Sequence, residues 1–162
     1  MRVAILMGLQ ASGKSTFHRT VLAATHVHVS KDDFPRARNR QRRRQRLIEE
    51  ALAAGRNVAV DNTNPAPEDR RPIVELARVW GARVVGYWFP PDPAGSLARN
   101  AERVGKTRVP EVGVRATLRR LRAPGADEGF DALYVGRMAS HKMAGGSMTV
   151  PFRRIASSFR DM

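Results

Sequence analysis

Five short apolar runs alternate along the chain with longer stretches whose apolar residues recur at helical spacing. Val3-Ala4-Ile5-Leu6-Met7 reads as a buried strand that stops at Gly8, and the segment Lys14 to Ala24 reads as the helix after it. The second strand is His26-Val27-His28-Val29, ending at Ser30-Lys31-Asp32-Asp33. A helix over Arg38 to Ala54 carries Leu47, Ile48, Ala51 and Leu52 in its second half, with Gly55 as its stop. Asn57-Val58-Ala59-Val60 is the third strand and is followed by Asp61-Asn62-Thr63-Asn64. Pro67 suits the first position of a helix that runs to Trp80, with Gly81 behind it. Arg83 to Phe89 is the fourth strand. Asp92-Pro93 then caps and opens a helix through Arg103. Val109-Pro110 breaks the chain, a helix covers Glu111 to Arg122, and Asp131 to Val135 is a candidate fifth strand. Such alternation predicts an α/β three-layer fold around a parallel sheet of four or five strands. Residues 1–136 form one domain. Residues 137–162 change character, with a Gly145-Gly146-Ser147 joint and a basic tail, and read as an appendage to which no order is assigned.

With 162 residues, 42% of them hydrophobic, the chain suits a single core. It has no cysteine, which removes disulfides, thiolate catalysis and cysteine-bound zinc. No apolar run is long enough to span a bilayer, and Met1-Arg2 leads straight into the first strand rather than a secretion signal; a cytoplasmic protein with no membrane partner is expected. The net charge of +14 is carried mostly by arginine. It draws polyanions such as nucleic acid or nucleotides, unless it merely reflects arginine-rich codon usage.

The turn after the first strand changes the picture most. Gly8-Leu9-Gln10-Ala11-Ser12-Gly13-Lys14-Ser15 fits G-x-x-x-x-G-K-[ST], the phosphate-cradling P-loop, between a strand and a helix as that chemistry requires. The backbone of Gly8, Ala11, Ser12 and Gly13 would wrap ATP phosphates at a helix N-terminus. Lys14 would reach the β- and γ-phosphates, and the Ser15 hydroxyl would take one Mg²⁺ position. Two acidic clusters follow the second and third strands, where parallel sheets bind ligands. Asp32 is the candidate base, and Asp61 the candidate acid that holds Mg²⁺. Asp33 either joins the acceptor side or caps the next helix. Arg36 to Arg46 holds seven arginines in eleven residues. It is either a solvated helix or, led by Arg36 and Arg38, a grip on acceptor phosphates. Arg99 and Arg103, four apart, would share one face of a helical lid over the transferring phosphoryl group. The four histidines lack metal-ligand spacing and read as structural.

GLQASGKST, SKDD, VDNTNP, LARNAERVGKTRVP and APGADEGFD together resemble the kinase domain of polynucleotide kinases, from about Arg2 to Val135. The resemblance implies a P-loop kinase-like fold, ATP and Mg²⁺ as cofactors, and nucleic-acid 5′-hydroxyl ends as acceptors. It implies Gly13, Lys14, Ser15 and Thr16 at the ATP and Mg²⁺ site, and Asp32 as general base. It also implies Asp61 and Asn64 on the acceptor side, and Arg99 and Arg103 as nucleotide and lid arginines. Phage members carry an arginine three residues after the base; here Pro35 stands there, with Arg36 next to it. Two other readings fit the same residues: a P-loop kinase of a small acceptor (nucleoside, sugar or antibiotic), and a non-catalytic, ATP-gated nucleic-acid-binding protein.

Overall fold

Alternate residues of the first strand face opposite ways, and both faces are apolar. In the computed structural model, which describes residues 1–136 and 152–157, β1 (Arg2–Met7) sends Val3, Ile5 and Met7 into one core and Ala4 and Leu6 into another. Burial on both faces marks a central parallel strand. β1 lies between β3 (Asn57–Asp61) and β4 (Arg83–Trp88), parallel to both, with Val3 opposite Val58 and Val84. β2 (His26–Val29) flanks β3, and β5 (Ala132–Gly136) flanks β4, also in parallel. A sixth strand, β6 (Phe152–Ser157), pairs antiparallel with β5, so the sheet order is β2-β3-β1-β4-β5-β6.

Five parallel strands fulfil the expected α/β architecture; the antiparallel sixth comes from the stretch to which the sequence assigned no order. Phe152-Arg153-Arg154-Ile155-Ala156-Ser157 has no strict apolar alternation, and its pairing shifts register at Leu133 and Tyr134, so its strand signal is weak. The Gly145–Ser147 joint lies outside the described residues.

Helices cover the sheet as the periodicity predicts, with revised ends. The helix expected over Lys14 to Ala24 is α only across α1 (Lys14–Phe17). It then widens over His18–Leu22, where the Ala23 amide donates to the His18 carbonyl five residues back. α2 (Arg40–Ala53) starts two residues later than expected because Asn39 is its cap, its side chain accepting from the Arg42 amide at 2.9 Å. Asp33 is therefore not that cap. α3 (Pro67–Val79) opens on Pro67 as expected. α4 (Pro93–Ala101) is capped by Asp92, which accepts from the Gly95 amide at 3.0 Å. It ends before Arg103, in a turn where Gly105 has φ of +62°. α5 (Glu111–Arg120) follows the Pro110 break. Among the described residues no helix is long and apolar enough to cross a membrane.

A buried polar scaffold stands beneath the C-terminal ends of β1 and β3. Arg70 on α3 has no exposed surface. Its Nε and Nη2 donate to the Glu128 carboxylate at 2.6 and 2.7 Å, and its Nη1 donates to the carbonyls of Asn64 and Arg122. Removing one partner of a buried, hydrogen-bonded ion pair leaves the other charge uncompensated. Glu128→Gln is expected to lower unfolding free energy by about 3 kcal/mol. Urea denaturation of the two proteins measures it, and a loss below about 1 kcal/mol would mean that the carbonyls of Asn64 and Arg122, with the remaining side-chain amide at position 128, suffice for the guanidinium.

Candidate active site

The loop between β1 and α1 bends because its glycines adopt backbone shapes that other residues resist. Gly8 has φ of +152°, and a Cβ there would stand 2.9 Å from the Cβ and carbonyl oxygen of Phe89. Its amide donates to the Thr63 carbonyl at 3.0 Å, fastening the loop to the end of β3. Gly13 takes φ of +98° at the start of α1, and Ala11 is held at φ of +56°. Arg99 on α4 secures Ala11, donating from Nε to its carbonyl at 2.8 Å while Nη2 pairs with Asp92 at 3.3 Å. Gln10 reaches α5, donating to the Thr117 hydroxyl at 2.9 Å. The loop is thus clamped by β3 below and by the α4–α5 pair above.

Lys14 is buried within this loop. Its ammonium donates to the carbonyls of Gly8, at 3.0 Å, and Leu9, and to the Ser12 hydroxyl at 3.3 Å. Burial pulls its pKa down to about 8; Arg103 acts in the same sense, while the carboxylates of Asp61 and Asp32 oppose it. Beside it, Ser15 Oγ donates to Asp61 Oδ2 at 2.7 Å. Burial alone would push the Asp61 carboxyl up. Hydrogen bonds from His28 and Ser15, with the charge of Lys14, outweigh that and hold it below the ordinary carboxylate value. A hydroxyl and an ionised carboxylate in contact, beside a phosphate loop, are the hard oxygen donors that Mg²⁺ prefers, so the residues fit that ion.

These groups border a cavity of about 830 Å³ whose wall includes Ala11 to Thr16, Asp32, Asp61, Arg99 and Arg103. The volume is within the range of small-molecule sites. Asp32 stands on the short turn after β2, its side chain 87% exposed and 3.2 Å from Arg40 Nη2. Arg103 lines the cavity from the turn after α4, its Nη1 donating to the Thr107 carbonyl at 3.3 Å; it does not share a helical face with Arg99.

Several expected acceptor contacts lie elsewhere. Arg36 and Arg38 are exposed and do not border the cavity; Arg40, the first residue of α2, does. Asp33 turns to His28, at 3.4 Å from its Nδ1. Asn64 is a fastening rather than an acceptor contact: it is buried with φ of +41°, accepts from Arg44 Nη1 at 3.1 Å, and donates to the Leu6 carbonyl at 2.8 Å. Arg44, read with the rest of the arginine run as either solvated or phosphate-binding, is completely buried and also donates to the Asp69 carbonyl. Its place in α2, four residues before Ile48, puts it on the core-facing stripe.

One histidine expected to be structural touches the site. His28 Nε2 lies 3.2 Å from Asp61 Oδ2, and its ring packs 4.3 Å from that of His18. Hydrogen bonding to Asp61 raises the pKa of His28, whereas burial, then the charge of His28, lowers that of His18. The alternating His26 and His28 gave no sign of this contact, because nothing local shows that β2 lies beside β3.

Comparison with solved structures agrees with the layout. The chain is similar to a gluconokinase from Sinorhizobium meliloti 1021: TM-score 0.58, 18% identity, over 83% of this chain and 82% of that one. It is similar to Chaetomium thermophilum Kti12 in complex with ADP-AlF3: TM-score 0.63, 14% identity, over 82% and 87%. It is also similar to a fungal RNA kinase: TM-score 0.69, 16% identity, over 91% of this chain but only 40% of that one. At these identities the likeness speaks for the P-loop kinase-like fold. Residues 3–124 match the family model described as AAA domain, and with that match over most of its length the chain belongs to the AAA-domain family.

Proposed function

We propose that the protein transfers the γ-phosphoryl group of ATP to an alcohol on a small molecule. One observation carries this: Asp32, a freely accessible carboxylate, borders the same cavity as the phosphate loop, close enough for its charge to act on Lys14. Asp32 takes the proton of the acceptor hydroxyl, the oxygen bonds to the γ-phosphorus, and the bond to the β-γ bridging oxygen breaks to release ADP. Lys14 and Arg103 offset negative charge on the transferring group. Arg99 keeps the loop in shape through Ala11. Ser15 and Asp61 would hold Mg²⁺, which supplies further charge neutralisation on the phosphates.

A small acceptor is favoured because, of the arginine run expected to grip a polynucleotide, only Arg40 borders the cavity. Arg36 and Arg38 stand outside the cavity, and Arg44 is inside the core. The gluconokinase and a sugar kinase from Janibacter also share the fold at closely matching length, with 83% of this chain aligned to 82% and 84% of theirs. The second reading, transfer to a 5′-hydroxyl end of DNA or RNA, draws on the charge of +14 and the fungal RNA kinase likeness.

Labelled ATP and Mg²⁺ with parallel sugar, nucleoside and 5′-hydroxyl oligonucleotide acceptors test both. Label is expected in a small acceptor, with a KM that changes little with salt. Label in the oligonucleotide, with an affinity that falls about 10³-fold or more between 50 and 200 mM salt, would instead support the polynucleotide reading. Absence of transfer to every acceptor would leave a nucleotide-gated binding protein.

A further inference from the structure

Lys31 brings an ammonium to the cavity next to the candidate base. It is half-buried in the cavity wall next to Asp32. Among the described residues, no carboxylate comes within ion-pair distance of its ammonium and no hydrogen bond engages it. Part of the charge that acts on it is of its own sign. Arg40, which also lines the cavity, donates from Nε to the Lys31 carbonyl at 3.0 Å and pairs through Nη2 with Asp32. Arg44, one helical turn further on, is buried behind it. Burial pushes the Lys31 ammonium below its ordinary value. Arg44 and Arg40 act in the same sense, while Asp69 and Asp32 oppose them. An ammonium that is partly desolvated, crowded by guanidinium groups and open to a cavity is stabilised by an anion entering that cavity. The general positive field of the chain does not explain it, since surface arginines meet solvent and need no cavity.

We infer that Lys31 and Arg40 form an anion subsite beside Asp32, and that the acceptor is a small alcohol bearing a carboxylate or phosphate group. The inference rests on the proposed phosphoryl transfer for its acceptor half. The subsite itself stands on the geometry of the cavity. With its anionic group held there, the acceptor presents its hydroxyl to the neighbouring carboxylate, and Arg40, already bonded to Asp32, offsets the base's own charge. Neutral sugars lose this anchor and bind weakly.

Calorimetry on the whole chain, saturated with Mg²⁺ and a non-hydrolysable ATP analogue so that the phosphate loop is filled, tests the subsite without any chemistry. Gluconate is compared with sorbitol, and glucose 6-phosphate with glucose, to separate carboxylate from phosphate. The charged member of at least one pair is expected to bind about tenfold more tightly or better. Lys31→Met should shrink that ratio below about threefold, while Lys31→Arg keeps most of it. Arg56→Gln, at an exposed arginine just ahead of β3 and so at the opposite end of the strands, should change nothing. Equal binding of charged and neutral members by the native protein would overturn the inference. So would a ratio that survives Lys31→Met, or one that Arg56→Gln reduces as much. Binding of a 5′-hydroxyl oligonucleotide through Lys31 with no binding of either small anion would also overturn it. Label transfer with equal kcat/KM to neutral and charged alcohols would sink the acceptor class but keep the kinase, whereas no transfer at all sinks the kinase reading first.

Discussion

Asp32→Asn is expected to reduce kcat by about 10²- to 10⁴-fold while leaving the dissociation constant for ATP within about twofold. The split follows from where the side chain stands. Among the described residues Asp32 makes no hydrogen bond or ion pair to the phosphate loop, and its ion pair with Arg40 is solvent-exposed. Such a pair is worth at most about 1 kcal/mol, so an isosteric amide leaves the fold and the nucleotide site intact. What it removes is the proposed proton acceptor. The other carboxylate bordering the cavity is a poor substitute: Asp61 Oδ2 already accepts from Ser15 and His28, and those bonds hold its pKa down. Steady-state turnover together with nucleotide binding by calorimetry checks both halves. Undiminished kcat would move the base role away from Asp32; equal losses in turnover and ATP affinity would mean that the residue organises the nucleotide instead.

How far the sequence could be read follows from the range over which each signal acts. The phosphate loop was legible because everything it needs is local: a strand, glycines at fixed intervals, a lysine and a hydroxyl at a helix start. That Asp32 and Asp61 would border one cavity with that loop was legible one level up, since a polar cluster at the carboxyl end of a parallel strand faces the ligand side wherever that strand sits in the sheet. The contacts that join strands were not. The Ser15–Asp61 and His28–Asp61 bonds depend on β1, β3 and β2 being consecutive in the sheet, an order that periodicity does not encode. Arg44 shows the opposite failure. A run of seven arginines looks alike from end to end, yet the helical stripe that buries Ile48 and Leu52 carries Arg44 inward with it. There the Asn64 amide and the Asp69 carbonyl accept from its guanidinium. Charge pattern measures what a segment prefers on average; burial of a single member is decided by the partners that tertiary structure brings to it. The antiparallel β6 belongs with Arg44, because its pairing with β5 rests on register rather than on an apolar pattern of its own.

Lys14→Ala is expected to weaken ATP binding by about 10- to 100-fold and to lower kcat by a further 10²- to 10³-fold. The native side chain should also impose a pH dependence that the variant lacks. In the free protein the ammonium is bound to the loop's own carbonyls and loses its proton near pH 8 because it is buried. A polyphosphate beside it adds negative charge and so raises that pKa. The charged form therefore binds, and affinity is full below pH 8 and falls as pH rises through it. Above that point the dissociation constant should climb by about tenfold per pH unit until the pKa of the complex is reached. Binding at pH 8.5 should accordingly take up a fraction of a proton, which calorimetry in two buffers of different ionisation enthalpy reads directly. Lys14→Ala should abolish both the uptake and the slope. A dissociation constant that stays flat from pH 7 to 9.5 in the native protein would mean that Lys14 keeps its proton throughout. Burial in the loop would then be offset by the carboxylates of Asp61 and Asp32 alone, and the phosphate would meet a lysine charged at every pH at which the protein works.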